Sequence, residues 1–151
     1  MSKKKLNKQR EPSSKKTVNI PQRESFYDKN PSWSFSRCDF THPLWGMDNH
    51  QDTLSHIIHF MAETEKIRWS EIFTTTAGKS RGTRNHPVNV DEIIKTAQER
   101  WREMKLDEYD TLHSLRLSST GRLWGIMQNG VFFIIWYDPE HEIFPSEKRH
   151  T

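Results

Sequence analysis

Cysteine is nearly absent from this chain: among 151 residues only Cys38 carries a thiol. A single thiol excludes an intrachain disulfide framework and a cysteine-ligated zinc site. No apolar run is long enough to cross a bilayer, and the basic N-terminal stretch lacks the apolar segment of a signal peptide. The expected location is therefore the cytoplasm, with no membrane partner. No GxxxxGK[ST] spacing occurs, which excludes a P-loop, and no internal repeat is visible. Apolar residues are themselves sparse, at 32% of the chain with a mean hydropathy of −0.93. That is low for a domain of this length, so part of the chain is expected to lie outside the core.

Residues 1–20 account for much of the shortfall. They hold seven Lys/Arg, one Glu and almost no large apolar side chain. The whole chain has 23 basic and 20 acidic residues, so subtracting that stretch leaves 16 and 19, a net charge of −3 over 21–151. The pI near 9.0 thus belongs to the N-terminal stretch and does not imply a basic folded surface. The domain layout read from this is a disordered basic arm over 1–30, a single α+β domain over 31–146 and a frayed tail over 147–151. A lysine-rich arm suits nucleic acid or a ribosomal surface through counterion release, and equally suits a solubilising tail.

Within the body, Trp33-Ser-Phe35-Ser-Arg37 alternates apolar and polar and predicts a short half-buried strand. Asp48–Lys66 has helical period, with Leu54, Ile57, Ile58 and Met61 on one stripe and His56, His59 and Glu63 on the other side. A short helix is expected over Trp69–Phe73. Ala77–Val88 holds Lys79, Arg81, Arg84 and His86 with two glycines and no acid, and predicts an irregular basic loop. Asn89, with Glu92 three residues on, predicts the cap of a helix whose stripe is Val90, Ile93, Ile94, Ala97, Trp101 and Met104.

The end of the domain is the most informative stretch. Asn129-Gly130 joins two apolar runs, and a type I′ turn needs positive φ at both central residues. Val131–Tyr137 has no polar gap, so it predicts an inner strand covered on both faces. With Leu112–Leu117 and Arg122–Gln128 it makes a three-stranded meander. The expected fold is α+β: an antiparallel sheet, built from the short N-terminal strand and this meander, packed against two main helices gathered on one face. Ile57, Met61, Ile94, Trp101, Phe133 and Ile135 are expected to form one core.

This order of elements resembles the RelE/ParE-type toxin superfamily over about residues 32–145. The segment Val131…Trp136-Tyr137-Asp138-Pro139-Glu140-His141 also resembles the "VxxxxWxDPxH" ending of uncharacterised bacterial and phage proteins. The resemblance implies a bacterial or phage toxin-like protein acting on RNA, most concretely an mRNA endonuclease of a toxin–antitoxin system. Its partners would be RNA or the ribosome, together with an antitoxin protein. It implies catalysis by Lys, Arg, Tyr or His side chains on the sheet and the adjoining helix end, with no cofactor and no metal.

The residues offer their own candidates. RNA cleavage by acid/base chemistry needs a base for the 2′-hydroxyl and a cation for the developing phosphorane. His141 could be the base, and Arg116 and Arg122 could supply the charge. The alternative for Asp138-Pro139 is a strand terminator, with His141 a plain surface residue. Lys79, Arg81, Arg84 and His86 could contact phosphates or form an ordinary solvated loop. His56, His59 and Glu63 share a helix face, but no second segment supplies further metal ligands, so a solvated face is the better expectation. A non-enzymatic nucleic-acid, ribosome or protein-binding module on the same fold remains the second reading, distinguished by whether imidazole and guanidinium groups converge.

Overall fold

The computed structural model describes residues 26–74 and 85–145. The expectations for 1–25, for Lys79, Arg81 and Arg84, and for the tail beyond 145 lie outside these described residues. In chain order the elements are β1 (Ser32–Ser34), a 3₁₀ segment Met47–Thr53, α1 (Leu54–Thr64), α2 (Trp69–Thr74), β2 (His86–Asn89), a 3₁₀ turn Val90–Glu92, α3 (Lys95–Glu103), β3 (Thr111–Arg116), β4 (Arg122–Gln128) and β5 (Val131–Asp138).

The meander forms as its turn chemistry requires. Asn129 and Gly130 take φ of 51° and 86°, the positive values of the tight hairpin turn, and β4 pairs antiparallel with β5 across them. The strand order is β1-β5-β4-β3-β2, so β5 is an inner strand. Two features depart from a purely antiparallel four-stranded sheet. First, β1 runs parallel to β5, with Ser32, Trp33 and Ser34 opposite Val131, Phe132 and Phe133. Its direction is set by distant anchors: Ser32 N donates to Gly130 O at 3.3 Å, and Trp69 N donates to Lys29 O at 2.9 Å. Nothing in the local alternation encodes either contact. Second, the segment expected to be irregular through Val88 ends in a strand. β2 pairs antiparallel with β3 as an edge strand, where Pro87 is tolerated because an edge leaves one side of the ladder unpaired.

The helices also differ in placement. They cover both faces of the sheet, and the expected single core is two. On one face Trp45, Ala97, Trp101, Trp124, Ile135 and Trp136 pack together, with Ile94 and Phe133 against them. On the other Ile57, Trp69, Ile72, Leu115, Phe132 and Ile134 pack together, with Met61 against them. The reason lies in β5, whose alternate residues are apolar on both sides and must all be removed from water. A bulge perturbs the alternation: Trp124 opposes Trp136 while Gly125 opposes Ile134, leaving Ile135 extra. Ile135 and Trp136 therefore face the same side. At the bulge a Cβ on Gly125 would stand 2.7 Å from the Phe132 ring, so the backbone approach needs glycine.

Helix boundaries shift for packing reasons. α1 begins at Leu54 after a 3₁₀ segment with a non-helical His50, and Ile58 stays 57% exposed although it shares the predicted stripe. Asn89 caps only the 3₁₀ turn and makes no side-chain cap bond, while α3 starts at Lys95. Ile93 and Ile94 are extended instead, and Ile94 N donates to Ile143 O at 3.0 Å. Tertiary pairing there outweighs a local capping signal. The segment just before β1, assigned to the arm by composition, is seated on the body: the Phe26 ring lies 4.8 Å from Tyr27 and 6.4 Å from Trp69.

Candidate functional site at one end of the sheet

Cross-strand register decides which charged side chains meet. Arg116 on β3 stands opposite Arg122 on β4, and Arg122 stands opposite Asp138 on β5. β2 sets His86 opposite Ser114, two residues before Arg116. The chain leaves β5 at Asp138 and folds back at once. Asp138 Oδ1 accepts Glu142 N at 2.9 Å, and Oδ2 accepts Ile143 N at 2.9 Å and Trp124 Nε1 at 3.3 Å. This carboxylate is fully buried. In the loop it closes, His141 takes a φ of 58°, a left-handed conformation that costs a non-glycine residue about 1 kcal/mol.

His141 is half-buried, and its imidazole is held below the ordinary histidine range. Burial is the main cause; the charges of Arg122, His86 and Arg116 add to it, and Asp138 opposes. All three predicted catalytic residues and His86 therefore act on one another at a single sheet end. Burial and the neighbouring cations thus both favour the neutral imidazole.

The two arginines differ in freedom. Arg122 is 9% exposed, and its Nη1 donates to Gly121 O at 3.1 Å, Ser118 O at 3.2 Å and Ser119 O at 3.4 Å. Its pKa is lowered by burial and then by the charge of Arg116, with Asp138 opposing. Arg116 is half-buried and donates from Nε to Ser118 O at 3.2 Å. Asn85 ties the neighbouring chain to this end, accepting Arg116 N at 2.8 Å and donating to Ile72 O at 2.8 Å. His86 lies with its ring 6.3 Å from Phe144.

Other predicted positions are elsewhere. His56, His59 and Glu63 are exposed on α1, and no group suited to hold a metal ion occurs among the described residues. Trp45, Trp69, Trp101, Trp124 and Trp136 are all core, at 1% exposure or less. A cleft of about 470 Å³, lined in part by Asn89, Asp91, Trp101, Tyr109 and Asp110, opens at the Asn89–Thr111 end, away from Arg116 and His141.

Asp39 escaped sequence reasoning altogether. It is buried, and it takes a bidentate pair from Arg100, with Nη2 to Oδ1 at 2.7 Å and Nε to Oδ2 at 2.8 Å. Trp136 Nε1 donates to Oδ2 at 2.8 Å, and His42 N donates to Oδ1 at 3.1 Å. Burial works to raise its pKa, but the bonds from Arg100 and Trp136 outweigh that and hold it below the usual carboxylate value. Its partners lie 61 and 97 residues away, so no local spacing could have revealed it. The network joins the Asp39–Trp45 turn to α3 and β5. Comparison with protein-family models, with curated proteins and with solved structures finds no match to this chain.

Proposed function

We propose that this chain is an RNA-directed, toxin-like protein, most concretely an RNA endonuclease working by acid/base chemistry at the His86–Arg116–Arg122–His141 sheet end. One observation carries this reading: cross-strand register sets Arg116 opposite Arg122 and Arg122 opposite Asp138, three residues before His141. His141 would take the 2′-hydroxyl proton as the 2′-oxygen bonds to phosphorus, the P–O5′ bond would break with the leaving 5′-oxygen taking a proton from water, and Arg116 would meet the charge that develops on the phosphate. Lys79, Arg81 and Arg84 belong to the connection whose described end, Asn85, bonds to Arg116, so they would extend the phosphate contacts. The RelE/ParE-type fold and an antitoxin partner belong to the same proposal. Both rest on the order of elements and on the Val131–His141 ending.

The test is cleavage of labelled single-stranded RNA by the purified chain. His141→Ala should lower the cleavage rate roughly 100-fold or more while leaving RNA affinity nearly intact. Unchanged cleavage in that variant defeats the endonuclease reading. One observation favours the second reading, a binding module on the same fold: Arg122 Nη1 already serves three backbone carbonyls, so that group is not free to follow a moving charge. RNA binding that depends on Arg116, with no cleavage by the wild-type chain, would select the binding module.

A further inference from the structure

Arg116 and Arg122 are drawn to one backbone oxygen. Ser118 O accepts Arg116 Nε and Arg122 Nη1, each at 3.2 Å. Both guanidinium groups are therefore neighbours, and one of them is 9% exposed. Neither forms an ion pair among the described residues, where the ion pairs are Lys66–Glu63, Arg100–Asp39 and Arg100–Glu103. The acid nearest in register, Asp138, has both oxygens occupied by the Glu142 and Ile143 amides and the Trp124 indole. Two adjacent like charges, one of them buried and met chiefly by carbonyl dipoles, cost free energy unless an anion completes the arrangement. Among the buried and half-buried groups of this sheet end, two guanidinium charges thus face a single carboxylate, Asp138, while Glu140 and Glu142 are exposed.

We propose that the C-terminal end of β3, the start of β4 and the His141 loop form a binding site for a phosphate group, held by Arg116 and His141 and balanced by the buried charge of Arg122. This deepens the functional reading above, since the same residues serve it, yet the site stands on charge balance and does not require that RNA be cleaved. Among the described residues Arg116 makes one side-chain bond, from Nε, which leaves its terminal nitrogens as a flat fork of N–H donors that matches two oxygens of a phosphate.

The fixed charges set what binds with what protonation. Counting only the groups withdrawn from water, two guanidinium groups less the Asp138 carboxylate leave one net positive charge, while the exposed Glu140 and Glu142 are screened by solvent. A phosphodiester, with one negative charge, balances it while His141 stays neutral. A terminal phosphate, with up to two, balances it when His141 takes up a proton. The groups facing His141 are Arg122 from β4, Arg116 from β3, His86 from β2 and Asp138 from the end of β5, with Glu140 and Glu142 beside it in its own loop. Three of the four facing groups are basic and add to burial in keeping the proton off, so a bound anion offsets the charge part of that opposition.

The experiment is a histidine-ring NMR titration of the full chain with inorganic phosphate at pH 6 and pH 7.5, with ionic strength held by chloride. The expected result is a saturable shift of the His141 ring signals and a rise of its pKa by about one unit. Arg116→Gln should weaken phosphate binding about tenfold, the scale of one lost charge-assisted hydrogen bond. A thermal melt confirms that this half-buried position has not unfolded the chain. Two further arms separate the sources of phosphate. Adenosine 5′-monophosphate should raise the His141 pKa as inorganic phosphate does, whereas the singly charged diester uridylyl-uridine should raise it less. No saturable shift at His141, or wild-type affinity in folded Arg116→Gln, overturns the site. Phosphate binding with no RNA cleavage leaves this proposal standing and defeats only the endonuclease reading.

Discussion

Asp39 and Asp138 are both removed from water, at 4% and 0% exposure, and both are satisfied by several donors. Asp39 has its own cation in Arg100, which makes it a structural clasp. Removing one partner of a buried ion pair strands the other. Asp39→Ala should therefore cost about 3–5 kcal/mol in urea melts, and a loss below one kcal/mol would mean that the clasp is idle. Because the Asp39 pKa is lowered on folding, its contribution is present above the ordinary carboxylate value and fades as pH falls through the folded one. His113 acts in a different window. Its Nδ1 is buried without a hydrogen-bond partner among the described residues, its ring lies 5.4 Å from Phe73, and burial, aided by His86, pushes its pKa down to about 4 from 6.5. The neutral ring is the folded form, so its stabilisation is complete above 6.5 and is lost as pH falls towards 4. Wild type should lose on the order of 2 kcal/mol across that interval through this group, after allowing for partial solvent access. His113→Leu should flatten that part of the pH–stability curve, and an unchanged slope would assign the loss to other groups.

Local chemistry made some elements readable and hid others. The β4–β5 hairpin was legible because its partners are adjacent in sequence and its turn announces itself in two residues. The meeting of Arg116, Arg122 and His141 at one end follows from counting along that hairpin. Gly130 carries the geometry at a φ of 86°, so Gly130→Ala should destabilise the fold by about 1–2 kcal/mol. Equal midpoints in guanidinium melts would show that the turn tolerates a side chain. The start of α3 was not legible from Asn89 and Glu92, because Ile94 pairs with Ile143 from the far end of the domain. β2 was hidden by His86 and Pro87, which break any visible alternation around the single buried residue Val88. α3 nonetheless buries the side chain that its period predicted. Trp101 is 1% exposed and packs against Trp136 at 5.7 Å between ring centres. Trp101→Ala should cost about 3–5 kcal/mol, the usual scale for a large core truncation.

At the scale of the molecule, the apolar run of β5 called for cover on both faces, and the two clusters supply it. What sequence periodicity could not supply was the assignment of α1 and α2 to one face and α3 to the other. That depends on where connections cross, and period 3.6 says only that each helix has an inner side. Charge divides along a different line. The chain is +3 overall, but residues 21–151 alone are −3, so removing 1–20 takes away a net +6. The described body closes on itself from Phe26 onwards, through the Phe26–Trp69 contact and the Trp69–Lys29 backbone bond. Deleting residues 1–20 should therefore leave the melting midpoint unchanged within about 2 °C, since they hold almost no large apolar side chain to contribute to a core. The same deletion should weaken RNA binding and flatten its dependence on log salt, because each lysine–phosphate contact contributes about 0.7 to that slope on single strands. The Arg116-dependent response of His141 to inorganic phosphate should survive the deletion intact. A fall of more than about 5 °C in the midpoint would mean that residues 1–20 belong to the body. An unchanged salt slope would mean that residues 1–20 take no part in any RNA binding the chain shows.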